Sequence, residues 1–124
     1  RPPGSTLFPY TTLFRSLFRA DLGRVQLELN DLKLLPRAIT NFQISLEKEP
    51  QRPFIWKQLG ITFGRLNMIG KSSRALAESA LLKGLSKDAI RLAKKAKKYL
   101  PKHSPGWIRA EDIIIAAQNI KSKR

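Results

Sequence analysis

Few side chains in this sequence could carry out catalysis or bind a metal. His103 is the single histidine and cysteine is absent, so the chain cannot supply the two histidines of an H-E-x-x-H zinc site. His103 lies in the connector LPKHSPGW, where we predict a solvated loop residue. Glu111 and Asp112 are adjacent, and adjacent helix positions point in different directions, so we expect no carboxylate pair for acid–base catalysis. We therefore expect this chain to have no catalytic activity and no cofactor of its own.

The charge balance of the chain is strongly basic. It has 124 residues with 24 lysines and arginines against 9 acidic residues, a formal net charge of +15. Such a charge permits nucleic acid, anionic lipid headgroups or acidic proteins as partners, but does not choose among them. The absence of cysteine excludes disulfide scaffolds and thiol chemistry. No apolar run is long enough to cross a bilayer as a helix.

The first sixteen residues, RPPGSTLFPYTTLFRS, read unlike the rest of the chain. They mix helix-breaking prolines with apolar side chains and resemble the translation of a short-read sequencing adapter, from which only Gly4 departs. We expect residues 1–16 to be a non-native segment that is disordered or opportunistically packed. We expect residues 17–124 to form one helical domain, the C-terminal fragment of a longer protein, with its first helix near 17–30.

Apolar residues recur at helical spacing along most of the remaining chain, and no segment shows the alternation of a strand. Pro50 ends one periodic segment, and Pro53 stands where the next helix begins. Ser86 and Ser104 are predicted N-caps of the last two helices. These signals predict an all-α fold of about six helices, arranged as antiparallel hairpins.

Two sets of residues resemble the tetratricopeptide repeat. The segment WKQLGITF carries an aromatic residue, Leu-Gly and a second aromatic residue at the spacing of a first repeat helix, and the segment AIRLAKKA carries alanines at the spacing of a second. The two tryptophans are 51 residues apart and each follows a proline by six residues, which predicts equivalent positions. We therefore predict a short tetratricopeptide-like solenoid. Its predicted core comprises Trp56, Leu59, Gly60, Phe63, Ala89, Ala96 and Trp107.

A narrower resemblance is carried by WKQLGITFGR, ALAESALLKG and LPKHSPGWIRAED. Together these stretches resemble the C-terminal tetratricopeptide domain of the bacterial periplasmic β-barrel assembly-enhancing proteases, a family of zinc metallopeptidases. The resemblance implies a periplasmic location and a parent protein whose zinc lies in a catalytic domain outside this fragment. It also implies that the fragment recruits proteins, either unfolded polypeptides or the outer-membrane assembly machinery.

Candidate partner-binding residues are the polar side chains between core positions of the helix that contains WKQLGITFGR, together with the turn that follows it. They are Lys57, Gln58, Thr62, Arg65 and Asn67. The alternative interpretation is ordinary solvated surface.

A second candidate surface is a stripe of cations on the helix that contains AIRLAKKAKKY. It consists of Lys87, Arg91, Lys94, Lys95, Lys98 and Lys102, with Asp88 as the only acidic residue nearby. Phosphates would relieve the mutual repulsion of these charges, so an alternative function is binding to nucleic acid or to an anionic membrane surface. Because Tyr99 is the only aromatic residue in the stretch, nucleic acid is the less favoured of the two. A solvated lysine face remains the simplest interpretation.

Overall fold

The chain is all-helical over the residues that the computed structural model describes, 9–29 and 31–122. Its helices are α1 Pro9–Glu28, α2 Leu35–Lys48, α3 Pro53–Arg65, α4 Ile69–Leu82, α5 Ser86–Tyr99 and α6 Pro105–Ser122. These ranges contain six helices and no strand, which confirms the predicted fold class. The chain divides into two compact units, Arg1–Gln51 and Arg52–Arg124, which we call the N-terminal unit and the C-terminal unit. Within the described ranges, no helix combines the length and apolarity needed to cross a membrane.

In the N-terminal unit, α1 and α2 pack as an antiparallel hairpin. At one end Ser45 Oγ donates a hydrogen bond to the Ser16 carbonyl at 2.9 Å, and Ser16 Oγ reaches the Ser45 carbonyl at 3.2 Å. Further along, Gly23 lies against the Phe42 ring, where a Cβ atom would come within 2.9 Å of Phe42 Cε1. Small residues thus bring the two helices together at both places.

Helix α1 begins at Pro9 and not near residue 17. The predicted boundary between segment and domain therefore falls inside a helix. Proline is favoured at a first helical position, because its missing N–H would have no partner there in any case. Ser16, which was assigned to the segment, is 1% exposed and contacts α2. Residues 1–8 of the predicted segment lie outside the described residues.

In the C-terminal unit, four helices form successive antiparallel hairpins, the repeat-like arrangement that the sequence predicts. Within this unit, helix α4 packs on α3, α5 and α6.

The core of the C-terminal unit is made largely of alanines. Its fully buried members from α4, α5 and α6 are Ala77, Ala80, Ala89, Ala93, Ala96, Ala110, Ile113 and Ala117. Larger side chains such as Leu81 and Leu100 pack around them. Since an alanine side chain extends little from the backbone, these three helices approach one another closely.

Two helices of this unit end in the same way. Asn67 after α3 and Gly84 after α4 have φ angles of 59° and 74°, in the left-handed region. The backbone amide of the residue that follows each of them donates a hydrogen bond to a carbonyl of the preceding helix. Met68 N–H donates to the Phe63 carbonyl, and Leu85 N–H donates to the Ala80 carbonyl. This is the Schellman motif, and glycine and asparagine are the residues that it favours.

The two predicted N-caps differ in outcome. Ser104 Oγ accepts a hydrogen bond from the Trp107 amide at 3.3 Å, which confirms it as the cap of α6. The prediction for Ser86 is wrong, because Leu85 occupies the cap position without a side-chain bond. Ser86 is instead the first helical residue, and its buried hydroxyl has no hydrogen-bond partner in the described part of the chain. The Leu85 carbonyl accepts the first helical hydrogen bond, from the Ala89 amide at 2.9 Å, which makes Leu85 the cap.

Gly60 and Gly64 on α3 provide a matched test of how closely α3 and α4 approach. A Cβ atom at Gly60 would lie 2.7 Å from Leu76 Cγ, whereas one at Gly64 would have Ser72 Oγ at 3.2 Å as its nearest neighbour. We expect Gly60→Ala to lower the free energy of unfolding by about 1–3 kcal/mol, because Leu76 must shift. We expect the free energy of unfolding of Gly64→Ala to stay within about 1 kcal/mol of the parent value, because the higher helix propensity of alanine offsets the tighter contact.

Urea unfolding followed by tryptophan fluorescence measures both effects, since both tryptophans lie in the C-terminal unit. Equal losses for the two variants would contradict a specific close contact at Gly60.

Candidate functional site

The five predicted partner-binding residues do not converge on one place. Lys57 and Asn67 are exposed near opposite ends of α3, about 15 Å apart along the helix axis. Gln58 is half-buried between them, and Arg65 is exposed in the last turn.

Thr62 is a correction to this set. Its side chain is fully buried, and its Oγ1 donates to the Gln58 carbonyl at 2.8 Å. The reason is helical geometry, because Thr62 follows the buried Leu59 by three residues and precedes the buried Phe63. It therefore presents no surface to a partner.

Two members of the predicted set line separate concave sites: Lys57 lines an open groove and Asn67 lines a depression at the end of α3. The groove at Lys57 has a volume of about 270 Å³ and runs over α4 between α3 and α5. We call it the α4 groove. Its lining residues are Lys57, Leu76, Ser79, Ala80, Lys83, Leu85, Asp88, Arg91 and Leu92.

The α4 groove combines an apolar floor with a basic rim. Leu76, Ala80 and Leu92 are buried or half-buried, whereas Lys57 and Lys83 are exposed. The acidic residue of the lining, Asp88, lies 3.5 Å from the Arg91 guanidinium, and that pair is exposed to solvent. Such a lining can hold an apolar side chain and attract an acidic one.

The hydroxyl of Ser79 in the groove serves the fold. Ser79 Oγ donates to the Pro53 carbonyl at 2.8 Å, and so connects α4 to the first turn of α3. Among the described residues, no group of three histidine, cysteine, aspartate or glutamate side chains could hold a metal ion.

Sequence reasoning missed a buried ion cluster centred on Glu78 of α4, whose side chain is 6% exposed. Arg109 of α6 binds both carboxylate oxygens, with Nε at 2.9 Å from Oε2 and a terminal nitrogen at 2.7 Å from Oε1. Arg74 approaches the same carboxylate at 3.1 Å, and its guanidinium lies 5.1 Å from the centre of the Trp56 ring. A continuous contact path thus runs from α3 through α4 to α6.

The pKa values of Arg74 and Arg109 are shifted in opposite directions. Burial lowers the pKa of Arg74, although the nearby Glu78 carboxylate acts against this. The hydrogen bond that Arg109 donates to the Glu78 carboxylate raises the pKa of Arg109. The i, i+4 spacing of Arg74 and Glu78 was a visible sequence signal, but that spacing usually marks a solvated surface pair.

Two of the predicted core residues are only half-buried, which corrects that part of the prediction. Leu59, Gly60, Phe63, Ala89 and Ala96 are buried, but Trp56 and Trp107 are not fully enclosed. The Lys97 ammonium lies 4.6 Å from the centre of the Trp107 ring, on which the exposed His103 packs edge-on at 4.8 Å. The Lys97 side chain covers the Trp107 ring while its ammonium stays near water, which explains why Trp107 is partly exposed.

The predicted basic stripe is exposed to solvent along its length. Its members are Lys87, Arg91, Lys94, Lys95, Lys98 and Lys102. Arg91 pairs with Asp88, and the Lys98 ammonium lies 5.6 Å from the Tyr99 ring centre. The stripe is therefore a solvated cationic surface with little internal neutralisation.

Comparison with protein-family models, with curated proteins and with solved structures finds no match to this chain. The resemblance to a metallopeptidase domain therefore stays a prediction.

The Glu78 cluster predicts a measurable energetic coupling between α4 and α6. We expect Glu78→Ala to lower the free energy of unfolding by about 2 kcal/mol, because it removes a buried carboxylate and leaves the half-buried Arg74 guanidinium without its counter-charge. As a control, Glu111→Ala removes an exposed partner of Lys97 and is expected to cost less than about 1 kcal/mol.

A double-mutant cycle with Arg109→Ala separates the pair from its surroundings. We expect Arg109→Ala to cost less in the Glu78→Ala background than in the parent chain. Additive effects in urea unfolding would refute the coupling.

Proposed function

We propose that this chain is a non-catalytic protein-recognition module whose α4 groove receives a segment of a partner polypeptide. The observation that carries the proposal is the apolar floor of the groove beside the exposed Lys57 and Lys83. Repeat-like helical hairpins commonly present such concave surfaces to extended partners. The preferred segment would combine an apolar anchor with acidic residues.

The resemblance to the periplasmic zinc metallopeptidases supports a wider form of this proposal. In that form, the module belongs to a periplasmic protease and brings it to unfolded polypeptides or to the outer-membrane assembly machinery. The zinc ion and the hydrolytic step belong to a catalytic domain outside this chain.

A peptide-binding experiment tests the groove. Peptides selected from a random display library on the intact chain would be labelled and titrated by fluorescence anisotropy. We expect Lys57→Glu/Lys83→Glu to weaken binding by about tenfold or more, because it places two like charges beside an acidic segment. Leu85→Ser should also weaken binding, since Leu85 is an exposed apolar member of the lining.

The matched control is Lys71→Glu/Lys121→Glu, which makes the same change in net charge at exposed positions outside the groove. The groove proposal fails if both double variants bind the selected peptides equally.

A separate observation tests the wider form. The gene upstream of the Leu17 codon should continue in the same frame and encode an H-E-x-x-H motif preceded by a signal peptide. Genomic sequencing across this junction provides the measurement. A frame without the zinc motif would remove the protease assignment and leave the groove proposal standing.

A further inference from the structure

Four helix ends of the C-terminal unit meet at one end of its bundle. There Gly70, at the start of α4, packs on the end of α5, since a Cβ atom at Gly70 would lie 2.8 Å from Leu100 Cγ. An open depression of about 320 Å³ lies over this junction. We call this place the Tyr99 tip. Its lining residues are Asn67, Met68, Ile69, Gly70, Lys71, Tyr99 and Leu100.

The Tyr99 tip exposes a cluster of large apolar side chains. Tyr99 is 50% exposed, Ile69 40% and Met68 37%, and all three line the same depression. Single exposed apolar residues are common on protein surfaces and need no explanation. Several together around one depression are typical of a surface that contacts something apolar.

The surroundings of the tip are cationic. Lys71 lines the depression, and Lys95, Lys98 and Lys102 are exposed on the adjoining end of α5 and the residues after it. In the part of the chain that the structure describes, none of these four lysines forms an ion pair.

The sequence around the tip contains no acidic residue. The two stretches that build it, 50–77 and 89–110, lack aspartate and glutamate altogether. The whole C-terminal unit has 17 lysines and arginines against 4 acidic residues, a formal charge of +13. The tip is therefore an apolar cluster within a strongly positive region.

We propose that the Tyr99 tip docks on the surface of an anionic lipid bilayer. Met68, Ile69 and the Tyr99 ring enter the headgroup layer, while the surrounding lysines contact headgroup phosphates. A tyrosine suits this boundary, because its ring is apolar and its hydroxyl is polar. Aliphatic side chains at the centre favour a lipid surface over nucleic acid, since the phosphate backbone of DNA offers them no apolar partner.

This proposal does not depend on the groove. The Tyr99 tip and the α4 groove share no lining residue, so a bound bilayer would leave the groove residues outside the contact. Membrane docking and peptide recognition can therefore succeed or fail separately.

Vesicle co-sedimentation of the full chain tests the proposal. Vesicles of phosphatidylglycerol and phosphatidylcholine in equal parts are compared with vesicles of phosphatidylcholine alone. We expect binding to the anionic vesicles only, weakening steeply with added salt. The triple variant Lys95→Gln/Lys98→Gln/Lys102→Gln should bind about tenfold more weakly or worse.

The matched control removes three charges from the other end of the unit. Lys83→Gln/Lys87→Gln/Lys121→Gln changes the net charge equally, at exposed residues around the Gly84 turn. We expect the control variant to bind anionic vesicles with an affinity within about threefold of the parent, because its lysines are far from the docking face. Equal losses for the two triple variants would overturn the proposal, because general charge attraction would then explain the binding.

A second pair of variants separates lipid from nucleic acid. Met68→Ser/Ile69→Ser leaves the charge unchanged and should weaken vesicle binding by about tenfold, because it removes the apolar contact. Tyr99→Ser is the independent variant should the double change prevent folding, which circular dichroism would show. If a short DNA duplex binds more tightly than the anionic vesicles and these apolar variants leave both affinities unchanged, the lipid proposal is wrong.

Discussion

The structure of the C-terminal unit depends on how closely other helices can approach α4. Three helices pack on α4, and the contacts are made through glycine, alanine and serine on the facing surfaces. Gly60 admits Leu76 from one side, and alanines form the contact with α5 and α6 on the other. Because these residues are small, the hairpins need few large side chains to fill the space between them. Because α5 turns its alanines toward the core, most of its lysines lie on the outer face, which is strongly basic.

The same close packing places a carboxylate where it must be paired. Glu78 lies on α4 between helices that exclude water from it, and an unpaired charge there would be costly. Arg109 binds both of its oxygens and Arg74 approaches from the adjacent turn. The cluster joins α4 to α6 by directional bonds, and Arg74 continues the contact to Trp56 on α3.

Helical periodicity was sufficient to predict the fold class, and local signals predicted some of the helix ends. Pro53 starts α3 as expected, because proline at a first helical position has a local cause that a sequence shows directly. The surface of α3 was harder to predict, since the burial of Thr62 depends on how the folded chain packs around α3. The Glu78–Arg109 pair joins residues 31 apart, and no local pattern encodes that meeting. The α4 groove likewise exists only once three helices are in place.

The bidentate bond between Arg109 and Glu78 restricts how α6 can move relative to α4. An interface of alanines is smooth, so two such helices could slide or rotate past each other with little resistance. A bidentate bond has one favourable distance and one favourable orientation, and both are lost if α6 moves by a fraction of a turn. The pair therefore fixes the rotation and the axial position of α6 relative to α4. The alanine contacts stabilise the packing of the two helices but do not select one position.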